Sequence, residues 1–291
     1  MNLRQPARAG SFYEAAPTSC KHHACNLVEA VTVDPGLPKT VYGGLVPHAG
    51  WVYSGPLAAK TLKTLLGSGK VHTVVLFGAD HCGTVRTGEV YDSGVWRTPM
   101  GDVPIDETLA AAIIKAAPLL LRANPEAHKN EHSLEVQIPL LQAIDPAIKI
   151  VPIGVPPNEH AAAIGQAVGK VLASEFPGVV VVGSSDLTHH GGHFPSPGGK
   201  GITGVKWTEA NDRRMLDLIE KMQAEKIVEE AYQHGNACGA GAIAATTAAC
   251  KAMGATEGLC LGYTNSYRII HQQYPDEPDE TTVGYASVVF A

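Results

Sequence analysis

The sequence predicts an α/β fold: a single domain over residues 1–291 with a central mixed, mainly parallel sheet flanked by helices. Three observations carry that expectation. Apolar, β-branched runs recur at residues 41–46, 71–77, 148–153 and 178–183, as strands buried on both faces read. Helix-spaced stripes separate them, as the crossovers between parallel strands require. Three of the runs end in polar residues capable of chemistry, which is where open α/β sheets build their ligand sites.

In chain order, a turn-rich lead-in contains Arg8-Ala9-Gly10-Ser11-Phe12-Tyr13, and a helix with the stripe Cys20, Ala24, Leu27, Val28 and Val31 follows. Its Cys20 is expected to face inward and His22 and His23 to face water. The strand at 41–46 leads into Pro47-His48-Ala49-Gly50-Trp51-Val52-Tyr53, and the spacing predicts a helix over 56–66. The next strand, 71–77, empties into Gly78-Ala79-Asp80-His81, so this βαβ unit brings two histidines to one sheet edge. A short strand is expected at 89–96, a turn at 97–102, and a helix over 107–117 capped by Asp106. Leu134, Ile138 and Leu141 mark one face of a helical segment on which His132 and Glu135 are neighbours. That pair reads either as support for a site or as polar groups suiting a helix start.

After the strand at 148–153 and a helix over 158–173, the strand at 178–183 ends in Ser184-Ser185-Asp186-Leu187-Thr188-His189-His190. Asp186 and His189, three apart, read as a catalytic carboxylate and imidazole; the alternative for Asp186 is a turn or cap. Residues 191–204 read as a flexible loop able to cover a site. Helices are expected over 208–222 and 224–232. Cys238 then precedes the helix over 243–253, where a helix dipole favours the thiolate that serves as nucleophile or metal ligand. Cys250 and Cys260 read as buried and inert, and residues 282–290 as an alternating terminal strand.

The net charge of −6 and the lack of any Lys/Arg run argue against nucleic acid or an anionic membrane as the main partner. No stretch of eighteen apolar residues and no secretory h-region is present, so a cytoplasmic location is expected. Six irregularly spaced cysteines make no disulfide framework, while thirteen histidines direct attention to metal or acid–base chemistry.

Taken together, Ala9 to Tyr13, Pro47 to Gly50, Gly78 to His81, Arg97-Thr98-Pro99, Glu131 to Glu135, Ser184 to His189 and Ala237-Cys238-Gly239 resemble, in order, the Memo family, protein B of the AmmeMemoRadiSam system. That family is similar to the catalytic subunit of class III extradiol ring-cleaving dioxygenases. The resemblance implies a dioxygenase-like fold and a pocket in which His48, His81 and Cys238 bind iron (Fe2+), copper or zinc. The same pocket is lined by Asp186 and His189, and the convergence of strand ends there suggests His189 as a general acid/base and Asp186 as the group that orients it or a water. Asp80, His132, Glu135, Trp51 and Tyr53 are candidates for supporting those ligands or lining a substrate pocket. Cysteine stands where the dioxygenases have a glutamate ligand, and a soft thiolate alters metal preference and potential. Two departures from the family pattern are Ala79-Asp80 before His81, which puts a carboxylate beside it, and Ala240 in the region of an arginine that contacts anions.

Three functional classes follow. The first is a metal-dependent redox enzyme, related to the dioxygenases, acting on a small-molecule or peptide substrate. The second is a non-catalytic protein that binds a peptide or another protein of the AmmeMemoRadiSam system. A zinc hydrolase fits the residue types but not the order of the motifs.

Overall fold

The computed structural model describes residues 2–67, 69–277 and 280–291. The chain runs through β1 (Leu3–Arg4), α1 (Pro17–Glu29), β2 (Gly43–Val46), α2 (Trp51–Leu66), β3 (Thr73–Gly78), β4 (Gly88–Val90), β5 (Val95–Thr98) and β6 (Gly101–Pro104). There follow α3 (Glu107–Ala116), β7 (Leu121–Ala123), α4 (Ile138–Ile144), β8 (Lys149–Gly154), α5 (Ala161–Glu175), β9 (Val179–Ser184) and β10 (His189–His190). The last elements are α6 (Gly201–Glu220), α7 (Ala224–His234), α8 (Ala240–Met253), β11 (Gly258–Asn265), α9 (Ser266–Gln273) and β12 (Thr282–Phe290).

The expected α/β architecture is present: a mixed sheet in the order β10-β12-β2-β9-β3-β8-β4-β7, with β11 also on β12, lies between two helical layers. Alternate residues of each central strand serve opposite faces, the period of two that a strand imposes. Val75 and Phe77 pack with Val151, Val181 and residues of α3, α5 and α8. Val74 and Leu76 pack instead with Ile150, Val180, Val182 and residues of α1, α2 and α4. A small sheet, β1-β5-β6, stands apart. Among the described residues no helix is long and apolar enough to cross a membrane.

Several expectations need correction. Strands β2 and β3 are not neighbours: β9 lies between them, parallel to both, with Val46 opposite Ser184 and Phe77 opposite Gly183. The run at 89–96 is two strands in different sheets, and the turn at 97–102 is a hairpin of β5 with β6. Helix α2 begins at Trp51 and holds Pro56 inside it; the N–H that Pro56 lacks would have served Val52, which is exposed and open to water. Residues 130–134 are not helical, so Glu135 opens a short 3₁₀ turn. The expected loop 191–204 gives way to α6 at Gly201. Strand β12 is buried along its whole length, because β2 and β11 flank it and helices cover both faces. Asp106 caps α3 as expected, its carboxylate accepting from Leu109 N at 3.1 Å.

Close backbone contacts position α8. A Cβ on Gly165 of α5 would fall 1.9 Å from Ala245 O of α8, so the two backbones meet without side chains between them. At the start of α8, a Cβ on Gly239 would fall 2.6 Å from Ser184 O, and this second close approach holds Cys238 against the end of β9.

Candidate metal centre

Because β2, β9 and β3 are parallel, their carboxyl ends open on one side of the sheet. His48 follows β2, Asp186 and His189 follow β9, and His81 follows β3. Neighbouring strands are about 4.8 Å apart, so His48 and His81 reach across the end of β9 to bring their ring centroids to 5.1 Å. His132 joins them at 5.4 Å from His48 and 4.6 Å from His81. The Cys238 sulfur lies 3.2 Å from His48 Nε2.

Hydrogen bonds decide which ring nitrogens face the centre. The Ser184 hydroxyl donates to Ser133 O at 2.7 Å, so toward His48 Nδ1, 3.0 Å away, it can only accept. That makes Nδ1 the protonated nitrogen and leaves the lone pair of Nε2 toward Cys238. His81 Nδ1 donates to Glu131 Oε1 at 3.0 Å, which frees its Nε2 in the same way. Carboxylate and hydroxyl partners of this kind fix tautomer and orientation in metal-binding histidines.

Glu131 is the residue that reading the sequence missed as a functional group. Its carboxylate also accepts from the backbone N–H groups of His81 at 2.7 Å, and of His132 and Ser133 at 2.8 Å each. Burial alone would raise its pKa, but the bonds and charge of His81 and the backbone donors hold it well below the usual carboxylate range. For His81, burial lowers the pKa and Glu131 outweighs it, so the net shift is upward. The centre does have a glutamate partner, then, behind His81.

Burial, reinforced by the charges of His81 and His132, holds His48 well below its ordinary pKa, keeping it neutral. His132 falls to about 4 through burial and His81, with a smaller contribution from Arg8. His189 falls to about 4 for the first two reasons, and its Nε2 is buried without a partner. Asp186, in contrast, is pushed up to about 7 by burial, against the bond its Oδ1 accepts from His48 N at 2.7 Å. Asp186 therefore shapes the turn that carries His48, and none of its hydrogen bonds runs to His189.

The dipole argument for Cys238 also needs correction: burial and the nearby Asp186 push its thiol up, and a cation at the sulfur is what would favour the thiolate. The sulfur further contacts Asp186 O at 3.6 Å and Ser185 Oγ at 3.9 Å. Ligand atoms of His48, His81 and Cys238 all lie within 4.8 Å of one another. A metal bonded to nitrogen and sulfur at ~2.0–2.3 Å spaces such ligands roughly 3.3–3.8 Å apart, so the set closes on an ion with small rotations. A second group, His81, Glu131 and His132, meets the same spacing, but Glu131 is already saturated with donors.

Other predicted residues lie elsewhere. Asp80 turns away, accepting from Thr84 N and Val85 N, so it braces its own loop and not His81. Trp51 is buried against Tyr13 and donates to Val136 O, outside the cavity. Glu135 does not pair with His132: it is sealed in the protein, accepting from Arg4 Nη1, Ala7 N, Arg8 N and Tyr13 OH at 2.7–2.8 Å. It ties the N-terminal segment to the segment bearing Glu131 and His132. Cys20 is buried, His22 is exposed, and His23 is half-buried against Glu14.

Above the histidines opens a cavity of about 580 Å³, walled by Phe12, Tyr53, Tyr267, Ile270 and Tyr285 and floored by His48, His81, His132, Asp186 and His189. Its far wall comes from α9 and β12, which no strand-end pattern in the sequence marks as part of a site.

Residues 4–289 match the model of a family described as Memo-like protein. A MEMO1 family protein of Methanopyrus kandleri is 33% identical, covering 99% of this chain and 98% of its own. One from Pyrococcus abyssi is 33% identical with 99% of both chains covered. The crystal structure of an uncharacterized protein from Escherichia coli K12 superimposes with a TM-score of 0.51 at 16% identity, over 87% of this chain and all of that one.

Proposed function

The chain belongs to the Memo-like protein family, and on that premise we propose that it is a metal-dependent redox protein whose ion is held by His48, His81 and Cys238. One observation carries the reading. Two imidazoles, each with its outer nitrogen committed to a partner, aim their free nitrogens at the region of a cysteine sulfur. Two nitrogens and one soft thiolate suit iron or copper, and zinc among redox-silent ions. When bound, a redox-active ion supplies electron transfer and Lewis acidity at the floor of the cavity.

The remaining residues have separate work. His189, which lines the cavity and is kept neutral by burial and the charge of His81, accepts a proton from a substrate hydroxyl or returns one. Asp186 holds the backbone of His48 in position, and the aromatic wall excludes water from the reacting groups.

The test is metal analysis of anaerobically purified protein, with optical spectra of Fe(II)- or Cu-loaded wild type and of Cys238→Ser. One tightly held ion per chain, and a sulfur-to-metal absorption band lost in Cys238→Ser, is the expected result. No retained or reconstitutable metal, or loading indifferent to both Cys238→Ser and His48→Gln, would sink the reading.

A further inference from the structure

Among the described residues the cavity wall holds no lysine or arginine, yet one arginine stands just behind it. Arg8 lies in the N-terminal turn, its guanidinium carbon 5.6 Å from the centroid of the Phe12 ring. Phe12 lines the cavity and meets the His132 ring edge-on at 5.1 Å. The backbone of Arg8 is firmly held: its N–H donates to Glu135 at 2.7 Å, and its carbonyl accepts from Ser11 N, Phe12 N and Ser11 Oγ. The side chain is not. Arg4, Arg97, Arg122, Arg213, Arg214 and Arg268 each meet a carboxylate. The Arg8 guanidinium has no hydrogen bond or ion pair among the described residues, and its Nε is buried without an acceptor.

A buried guanidinium N–H without an acceptor is a standing demand for an anion. The part of the cavity lining that Arg8 meets is the Phe12–His132 end, its guanidinium standing over the Phe12 ring. We propose that Arg8 is the anion anchor of the cavity, binding the carboxylate of a small substrate whose apolar body lies against Phe12, Tyr53 and Tyr285. This rests on the reading above only in taking the cavity as the substrate site. It gives the chain, from a different part of the sequence, the anion contact that Ala240 does not provide.

The test uses benzoate and its neutral counterpart benzamide as probes, titrated calorimetrically into the chelator-treated protein. Wild type should bind benzoate, with an affinity that falls as salt rises, and Arg8→Met should weaken it by about tenfold or more while leaving benzamide unchanged. Arg8→Lys should recover part of the loss. Melting curves of both variants establish folding; if Arg8→Met does not fold, the lysine variant and the salt dependence of the wild type decide. Equal affinity for benzoate and benzamide, no binding at millimolar benzoate, or benzoate binding that survives Arg8→Met would overturn the proposal. Benzoate binding that appears only after Fe(II) is added places the carboxylate on the metal and also overturns it. A protein that binds no metal yet discriminates benzoate through Arg8 refutes the metal reading and leaves this one standing.

Discussion

Glu131→Gln perturbs the centre without touching any of its three proposed ligands. In the wild type, Oε1 accepts from His81 Nδ1, His132 N and Ser133 N, and Oε2 from His81 N. With the amide oxygen in the Oε1 position, glutamine keeps three of these bonds but points an NH₂ at the His81 N–H, now donor against donor at a site where the oxygen sat 2.7 Å away. With the amide reversed, three donors lose their acceptor. The milder arrangement costs about 1–3 kcal/mol of stability, the penalty for one unsatisfied buried group. Loss of the negative charge also weakens His81 as a donor to metal, for which removal of such a partner lowers affinity by about 10–100-fold, or roughly 1.4–2.7 kcal/mol. Proton competition moves the other way. Glu131 raises the His81 pKa, so its removal lets His81 shed its proton at lower pH. Anaerobic titration of Fe(II) across pH 5.5–8 should therefore show a lower plateau affinity in the variant and an uptake midpoint displaced toward acid. Unchanged plateau affinity, or a midpoint displaced toward alkali, would refute the assignment of Glu131 as the orienting partner of His81.

Three further expectations follow from the same contacts. Ser184→Ala takes the acceptor from His48 Nδ1 and the donor from Ser133 O; metal affinity should drop by about tenfold or more with little change in fold, measured by competition against a chromogenic chelator. Arg4→Met leaves the Glu135 carboxylate buried without its cation, which should cost about 3–5 kcal/mol in urea denaturation and expose the N-terminal segment to limited proteolysis. His128 is buried, bonds Glu89 O at 2.8 Å, and is pushed down to about 4 by that burial. The unfolded chain takes up this proton first, so its contribution is full above about pH 6.5 and is lost as pH falls toward 4, at most about 3 kcal/mol. Denaturation of wild type and His128→Gln at pH 7 and pH 4.5 should show the smaller acid loss in the variant, and equal losses would count against the assignment.

What could be read from the sequence was what local pattern encodes. The β-branched runs of β3, β8 and β9, the Asp106 cap, and the polar residues at three strand ends are each specified by a few consecutive residues. Strand order is not local. That β9 separates β2 from β3 depends on which crossover returns where, and an apolar run buried on both faces carries no mark of its neighbours. Strand β12 was legible as a terminal strand from its alternation, but nothing in that pattern marks β2 and β11 as its neighbours or the helices as its covers. Glu131 and Glu135 stand four apart in one motif and do unrelated work, one behind His81 and the other locking Arg4. The difference comes from residues 130–134 not being helical, so the two carboxylates point to different sides. Asp80 next to His81 looked like a partner by proximity in sequence, but the turn at Thr84 and Val85 claims its oxygens.

The measurement that bears most directly on the central claim is anomalous scattering from crystals loaded with Fe(II) without oxygen, recorded on both sides of the iron edge. The account predicts one strong peak within bonding distance of His48 Nε2, His81 Nε2 and Cys238 Sγ, with Glu131 still on His81 Nδ1. A peak among His81, Glu131 and His132, or no peak after loading, would contradict it.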